Sequence, residues 1–241
     1  MAVQRLTLAQ IITEILHITG YDSSVNAPWE TEANLIRKIN MTAQKAVQRG
    51  SDTLRAEGKL SRTGVVRHDM WRSTASSTGS SGTGHFVVSA ASATVEFPDD
   101  LDQFISLWDK TEENWIYPIS RSAKERYRRF EMRPAGRTEA VEMLGYGGSN
   151  WQRQGKLLPS VASGVTPSME LTYYRLPAIM PGSDTSTEYP DGDYKFHYLW
   201  VLEPVLELLR VDDPAYDRYL AKEKELMREF VGTANSTLAA A

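Results

Sequence analysis

The sequence predicts an α+β fold: a helical bundle built from N- and C-terminal helices, residues 1–50 and 185–241, with a β-rich domain, residues 51–184, inserted between them. Three observations predict it. Apolar residues recur at helical spacing near both ends of the chain. Short alternating segments bounded by Gly and Pro fill the middle. Four of the six tryptophans fall in that middle.

The first helix is expected from Thr7, where Thr7 and Gln10 have the spacing of a capping box. Leu8, Ile11, Ile12, Ile15 and Leu16 form its apolar stripe, and Gly20 stands at the usual stop. A loop with Pro28 and Trp29 follows. The next helix is expected from Glu30 to Arg49, with Leu35, Ile36, Ile39, Ala43 and Val47 inward and Gly50 after it. Its other side carries Arg37, Lys38, Lys45 and Arg49.

In the middle, Val65–Trp71 reads as a strand. Ser73–Gly84 is almost entirely Ser, Thr and Gly, so it predicts a mobile arm that cannot bury enough apolar area to offset its ordering entropy. Strands are expected at Phe86–Val88 and Thr94–Phe97. Phe104–Trp108 and Trp115–Ile119 read as a hairpin turning at Thr111–Asn114, followed by a basic helix over 121–130. Further strands are expected at Thr138–Tyr146, Lys156–Val161 and Met169–Leu176, where Met169, Leu171 and Tyr173 alternate with polar positions.

Pro177–Asp193 is a breaker segment. Tyr194, Tyr198, Val201, Leu202, Val205, Leu208 and Leu209 then predict a helix. Asp212-Asp213-Pro214 stops it and starts the last helix, Ala215–Phe230. The remaining Gly232–Ala241, small and uncharged in its side chains, reads as an arm or a frayed end.

Composition removes several function classes. Zero cysteines exclude a disulfide framework, thiolate metal ligands and a cysteine nucleophile. Neither an apolar run near about 20 residues nor a secretory signal is visible, so no membrane partner is expected. Asn40-Met41-Thr42 and Asn235-Ser236-Thr237 match the glycosylation sequon and read as chance.

A net charge of −4 gives no global drive toward nucleic acid. Its distribution is uneven. Residues 121–137 are basic, through Arg121, Lys124, Arg126, Arg128, Arg129, Arg133 and Arg137. Residues 96–113 are acidic, with Asp99, Asp100 and Asp102, and so are residues 184–217, with Asp212 and Asp213. Blocks of opposite sign suit head-to-tail association of copies, and these residues are the expected subunit or partner interface. The plain alternative is a set of solvated faces that never meet.

No motif carries catalysis, a cofactor or a metal. Gly79–Gly84 lacks the Lys-Ser/Thr ending and the helix of a phosphate loop, and Gly145–Gly148 lacks dinucleotide spacing. His17, His68, His85 and His197 show no ligand spacing. The Asp99–Asp102 cluster reads as turn chemistry after Pro98 rather than as a glycosidase carboxylate. Arg126, Arg129 and Arg133 could contact phosphates, with a salt-bridged protein interface as the competing reading.

The chain resembles the head-to-tail adaptor (connector) proteins of tailed bacteriophages, in the larger form of short-tailed phages. Tyr173, Tyr174 and Pro177 carry the resemblance, with Tyr189-Pro190-Asp191 before a long helix and Asp212-Asp213-Pro214-x-Tyr216 after it. The N-terminal helix pair belongs to it as well. The resemblance implies a virion structural protein of the neck or tail, assembled in the host cytoplasm and without enzymatic activity. Its copies would form a closed ring, usually a dodecamer, on the portal protein, with tail nozzle or fibre proteins below and DNA threading the lumen without sequence-specific contact. Two alternatives come from the residues alone: a carbohydrate-binding or polysaccharide-acting tail protein, from six Trp, eleven Tyr and acidic loops, or a nucleic-acid-binding regulator using residues 121–137.

Overall fold

A computed structural model describes residues 5–21, 31–60, 68–77, 85–89, 93–119, 135–147, 152–161 and 167–238. Met1–Met70 with Pro177–Ala241 form one compact unit, and Trp71–Leu176 form a second.

In the first unit, helix α1 (Leu8–Thr19) begins as its capping box dictates. Thr7 Oγ1 accepts the Gln10 N–H at 3.2 Å, and Gln10 Oε1 accepts the Thr7 N–H at 2.9 Å. Gly20 ends it with φ 74°, a left-handed conformation that glycine adopts without penalty. Helix α2 (Glu32–Ala56) is capped by Thr31 and runs straight through Gly50, the expected stop. Gly50 is buried, and a Cβ there would lie 3.1 Å from Val231 Cγ2, so this glycine serves a close approach rather than a helix end.

Helix α3 (Leu199–Leu208) follows a 3-10 turn at Tyr194–Phe196 and buries Leu199 through Val205. Helix α4 (Tyr216–Leu238) extends past Phe230, so most of the expected C-terminal arm is helical. Helices α1, α2 and α4 each pack on α3. The breaker segment contributes too: the Leu8 N–H donates to Glu188 O at 2.8 Å and the Ala9 N–H to Thr185 O at 2.9 Å, satisfying free donors at the start of α1.

The second unit is an eight-stranded closed barrel. Its strands are β1 (Arg72–Ser77), β2 (His85–Ser89), β3 (Thr94–Glu96), β4 (Leu101–Asp109), β5 (Asn114–Ile119), β6 (Ala140–Gly147), β7 (Gln152–Leu158) and β8 (Met169–Arg175). They run in the order β1-β2-β3-β7-β6-β5-β4-β8, with β8 pairing back onto β1. The β1–β2 and β5–β6 pairs are parallel and the others antiparallel. Phe86, Val95, Phe97, Leu107, Ile116, Val141, Leu157, Leu171 and Tyr173 fill the core. Among the described residues every strand of the barrel has a paired neighbour on each side.

The expected architecture is therefore corrected. In place of a helical bundle carrying an inserted β-rich domain, three helices gather on the short, buried α3, and eight strands close on themselves. Two local expectations change with it. Residues 73–77 of the expected mobile arm form β1, held by a ladder to β8 from Arg72↔Tyr174 to Ser76↔Glu170, while 78–84 lie outside the described residues. Main-chain pairing orders a strand in which Ala75 alone supplies a deeply buried apolar side chain. At the expected Val65–Trp71 strand, 65–67 lie outside the described residues and Asp69–Trp71 is a 3-10 turn. His68 there is buried against Phe196 and Phe230 of the helical unit instead of alternating along a sheet.

Candidate functional site

Of the interface residues that the sequence singles out, Arg121, Lys124, Arg126, Arg128, Arg129 and Arg133 lie outside the described residues. The acids are divided between the two units. Asp99 is exposed in the turn before β4. Asp100 accepts the Tyr173 hydroxyl at 3.0 Å, and its carbonyl accepts the Leu176 N–H at 2.7 Å. The carbonyl of Asp102 accepts from Arg153 Nη1 at 2.9 Å. In the helical unit, Asp212 is exposed, and Asp213 Oδ1 accepts the Ala215 N–H at 2.8 Å at the start of α4. Asp100 and Asp213 thus serve the fold, and Asp99 and Asp212 remain at the surface.

Three residues on the basic side of α2, Lys38, Lys45 and Arg49, are engaged within the helical unit, while Arg37 is exposed. Lys38 Nζ lies 2.7 Å from Glu207 Oε2, and Lys45 pairs with the other oxygen of the same carboxylate. Arg49 Nη1 lies 2.7 Å from both Glu203 Oε1 and Glu223 Oε1. Both of those glutamates are buried. Burial pushes the Lys45 ammonium below its usual value despite the opposing pull of Glu203. Burial likewise raises the Glu203 carboxyl, which Arg49 draws back down and Glu223 pushes further up.

Beside this seam, α2 and α4 frame an open groove of about 720 Å³. Leu220, Met227 and Val231 line it together with Asp52, Glu57, Lys59, Lys224 and Arg228. An apolar strip between charged edges of both signs suits a protein segment more than a small reactive substrate.

No protein-family model matches the chain, and no curated protein matches it.

Two of the histidines are buried and packed within the helical unit. Buried His197 accepts the Leu6 N–H on Nδ1 at 3.2 Å, and burial lowers its pKa. His68 accepts the Met70 N–H and stacks on Phe230, while His17 and His85 are exposed. Among the described residues no group of three His, Cys, Asp or Glu is placed to hold a metal ion. Among them, too, no helix is long and apolar enough to cross a membrane.

The barrel holds a second concavity that the sequence alone did not single out. Trp108, Trp115 and Tyr117 form one wall of a hollow of about 540 Å³, with Glu113, Asn114, Arg137 and Glu139 around it. Strand alternation assembles it. Leu107 and Ile116 pair in register and point into the core, so the next pair, Trp108 and Trp115, faces outward. The signal available in the sequence was the placement of these two tryptophans on either side of a recognisable turn.

Proposed function

We propose that this chain is a virion structural protein without catalytic activity: a head-to-tail adaptor whose copies form a ring between portal and tail, through which DNA passes. The succession of elements around α3 carries this reading. Strand β8, the Pro177–Asp193 segment, α3, the Asp212–Pro214 turn and α4 follow one another in the order the adaptor resemblance requires. The motif residues within it do backbone work. Asp191 Oδ2 accepts the Ala178 N–H at 2.6 Å, and Asp213 Oδ1 accepts the Ala215 N–H at 2.8 Å. Motifs spent on turns and caps define a shape, which is what a ring component contributes.

In this reading the α2/α4 groove receives a segment of a neighbouring copy or of the portal. Contacts that are weak singly and repeated around a ring give avidity, and the charged edges fix orientation. The partners are the portal above and nozzle or fibre proteins below, and the protein resides in the neck of the virion after assembly in the host cytoplasm.

The test mixes purified protein with portal-bearing, tail-less heads and images the vertex by cryo-electron microscopy. A ring beneath the portal, lost when Lys224→Glu and Arg228→Glu reverse the groove's edge, is the expected result. An empty vertex with a stable monomer in solution overturns the proposal.

A further inference from the structure

We infer that the turn joining α3 to α4, tipped by Val211 and Asp212, docks into the α2/α4 groove of a second copy of this chain, where Val211 covers the apolar floor and Asp212 faces Lys224 and Arg228. This docking rests on the reading in which the groove receives a neighbouring copy, and the portal plays no part in it.

The groove sets the chemistry of its occupant. Met227 and Val231 are buried in its floor, with Leu220 half-buried on the same face of α4. The acids of the groove already have cations: Glu223 lies on Arg49, Asp52 on Arg55 and Glu57 on Lys59. Lys224 and Arg228 also line it, one helical turn apart and exposed. Neither has an acidic partner among the described residues. An occupant that suits this groove therefore brings an apolar side chain together with an acid that is not already neutralised.

The turn supplies both. Val211 is 78% exposed, the most exposed large hydrophobic side chain among the described residues. The Asp213 N–H donates to Arg210 O at 2.9 Å, which places Val211 and Asp212 at the tip of the turn with Arg210 at its base. Asp212 is exposed and has no cationic partner among the described residues. Asp217, exposed in the first turn of α4, adds a second acid at the same corner. The tip is also held in place. Asp213 Oδ1 accepts the Ala215 N–H at 2.8 Å, and Asp213 O accepts the Tyr216 N–H at 2.9 Å. A preformed tip loses little entropy on docking.

Other exposed apolar groups lack this combination. Ile179, 75% exposed, has no Asp or Glu within four positions in the sequence. Tyr194 follows Asp193, which already pairs with Lys195. Trp115 and Tyr117 share their hollow with Arg137, a cation that would be set against Lys224 and Arg228.

The turn does not reach the groove of its own copy. It is fixed to the start of α4 at Tyr216, and Arg228 lies about 18 Å further along that helix at about 1.5 Å per residue. The contact therefore joins copies head to tail, the turn of one in the groove of the next. A turn buries little area, so a single contact is weak and association shows at high protein concentration.

The test follows the sedimentation of the purified full chain over a concentration series, where reversible self-association is expected. Asp212→Lys, and separately Lys224→Glu combined with Arg228→Glu, each weaken it by about tenfold or more, and Val211→Ala by about tenfold. These side chains are exposed, so the variants fold, which circular dichroism checks. Asp99→Lys, which reverses an exposed acid of the barrel unit, leaves association unchanged. Mixing the turn variant with the groove variant sets opposite charges together at every contact, so association returns. A monomer at every concentration, or a mixture no better than its parts, overturns the inference. Association that the groove variant loses and Asp212→Lys keeps overturns it in favour of another segment in the groove. A ring beneath the portal that survives Asp212→Lys removes this contact and keeps the adaptor reading. Association restored by mixing, with an empty vertex, does the reverse.

Discussion

Asn40 grips Met180 with both ends of its amide: Nδ2 donates to the Met180 carbonyl at 2.8 Å, and Oδ1 accepts the Met180 N–H at 3.0 Å. One side chain of α2 thus satisfies both backbone groups of a residue that is 4% exposed. It also removes Asn40 from use as a glycan acceptor in the folded chain, since Thr42 of the same sequon is fully buried.

Asn40→Ala leaves both Met180 groups without their partner, and the expected cost is about 1–3 kcal/mol. Asn40→Asp keeps the acceptor but sets a carboxylate oxygen against the Met180 carbonyl, so it should lose as much. Urea unfolding should show a lower midpoint with an unchanged slope for both. An unchanged midpoint for Asn40→Ala would show that water replaces the amide at no cost.

Gly155 of β7 is required by the barrel core. A Cβ at this position would stand 2.7 Å from Val141 Cγ2 and 2.9 Å from Phe97 Cε2, and both of those side chains are fully buried. Gly155→Ala should destabilise by about 1–3 kcal/mol through overpacking. Adding Val141→Ala makes room, so the double variant should be more stable than the sum of the two single losses by about 1 kcal/mol. Strict additivity in a double-mutant cycle would mean that the core yields elsewhere.

How much of this was legible follows from where the determining interactions lie. Helix α1 was legible at both ends, because Thr7, Gln10 and Gly20 act within a few residues of one another. The β4–β5 hairpin was legible too, since its turn and its alternation are local. Strand β1 was not. Its six residues, Arg72–Ser77, show no apolar alternation, and the ladder that orders them belongs to β8, almost a hundred positions later. Gly50 misled for a related reason: its neighbour across the packing, Val231, is far away in sequence. For the sites, the sequence shows that tryptophans and acids are present, but the register alone decides that Trp108 and Trp115 share one outward face and that Asp100 turns toward Tyr173.

Tyr173 gives a readout at alkaline pH. Burial, the Asp100 charge and the hydrogen bond to Asp100 push the phenol up to about 12 from its usual value near 10.0. The folded state thus holds this proton more tightly than the unfolded state does. The stability involved is fully present below pH 10 and is lost as pH rises through about 12. Tyr173→Phe should cost about 1–2 kcal/mol at pH 8 and remove one late-ionising phenol from the ultraviolet titration. A titration curve identical in wild type and variant, apart from a phenol ionising near 10, would refute the coupling.

Glu203 tests whether the ionic seam of the helical unit stabilises it. The residue is 1% exposed, and neither carboxylate oxygen has a hydrogen-bond partner with good geometry among the described residues, although Arg49 Nη1 lies 2.7 Å away. That single guanidinium serves Glu223 as well. Burial raises the Glu203 carboxyl above its usual 4.5, against the pull of Arg49 and with the push of Glu223. Such a group binds its proton more readily folded than unfolded, so it withholds stability at neutral pH and returns it as pH falls from the raised value toward 4.5. Glu203→Gln leaves Arg49 and Glu223 as a balanced pair, and it should be neutral or stabilising at pH 7. It should also remove the gain that wild type shows relative to it between pH 7 and pH 5. Arg49→Met does the opposite, stranding two buried acids. It should cost about 3 kcal/mol at pH 7, toward the low end for a broken buried pair because the arginine is half exposed to water. Chemical denaturation of the three proteins at both pH values separates these outcomes. A loss of several kcal/mol in Glu203→Gln at pH 7 would instead make the buried carboxylate the anchor that holds Arg49 in place.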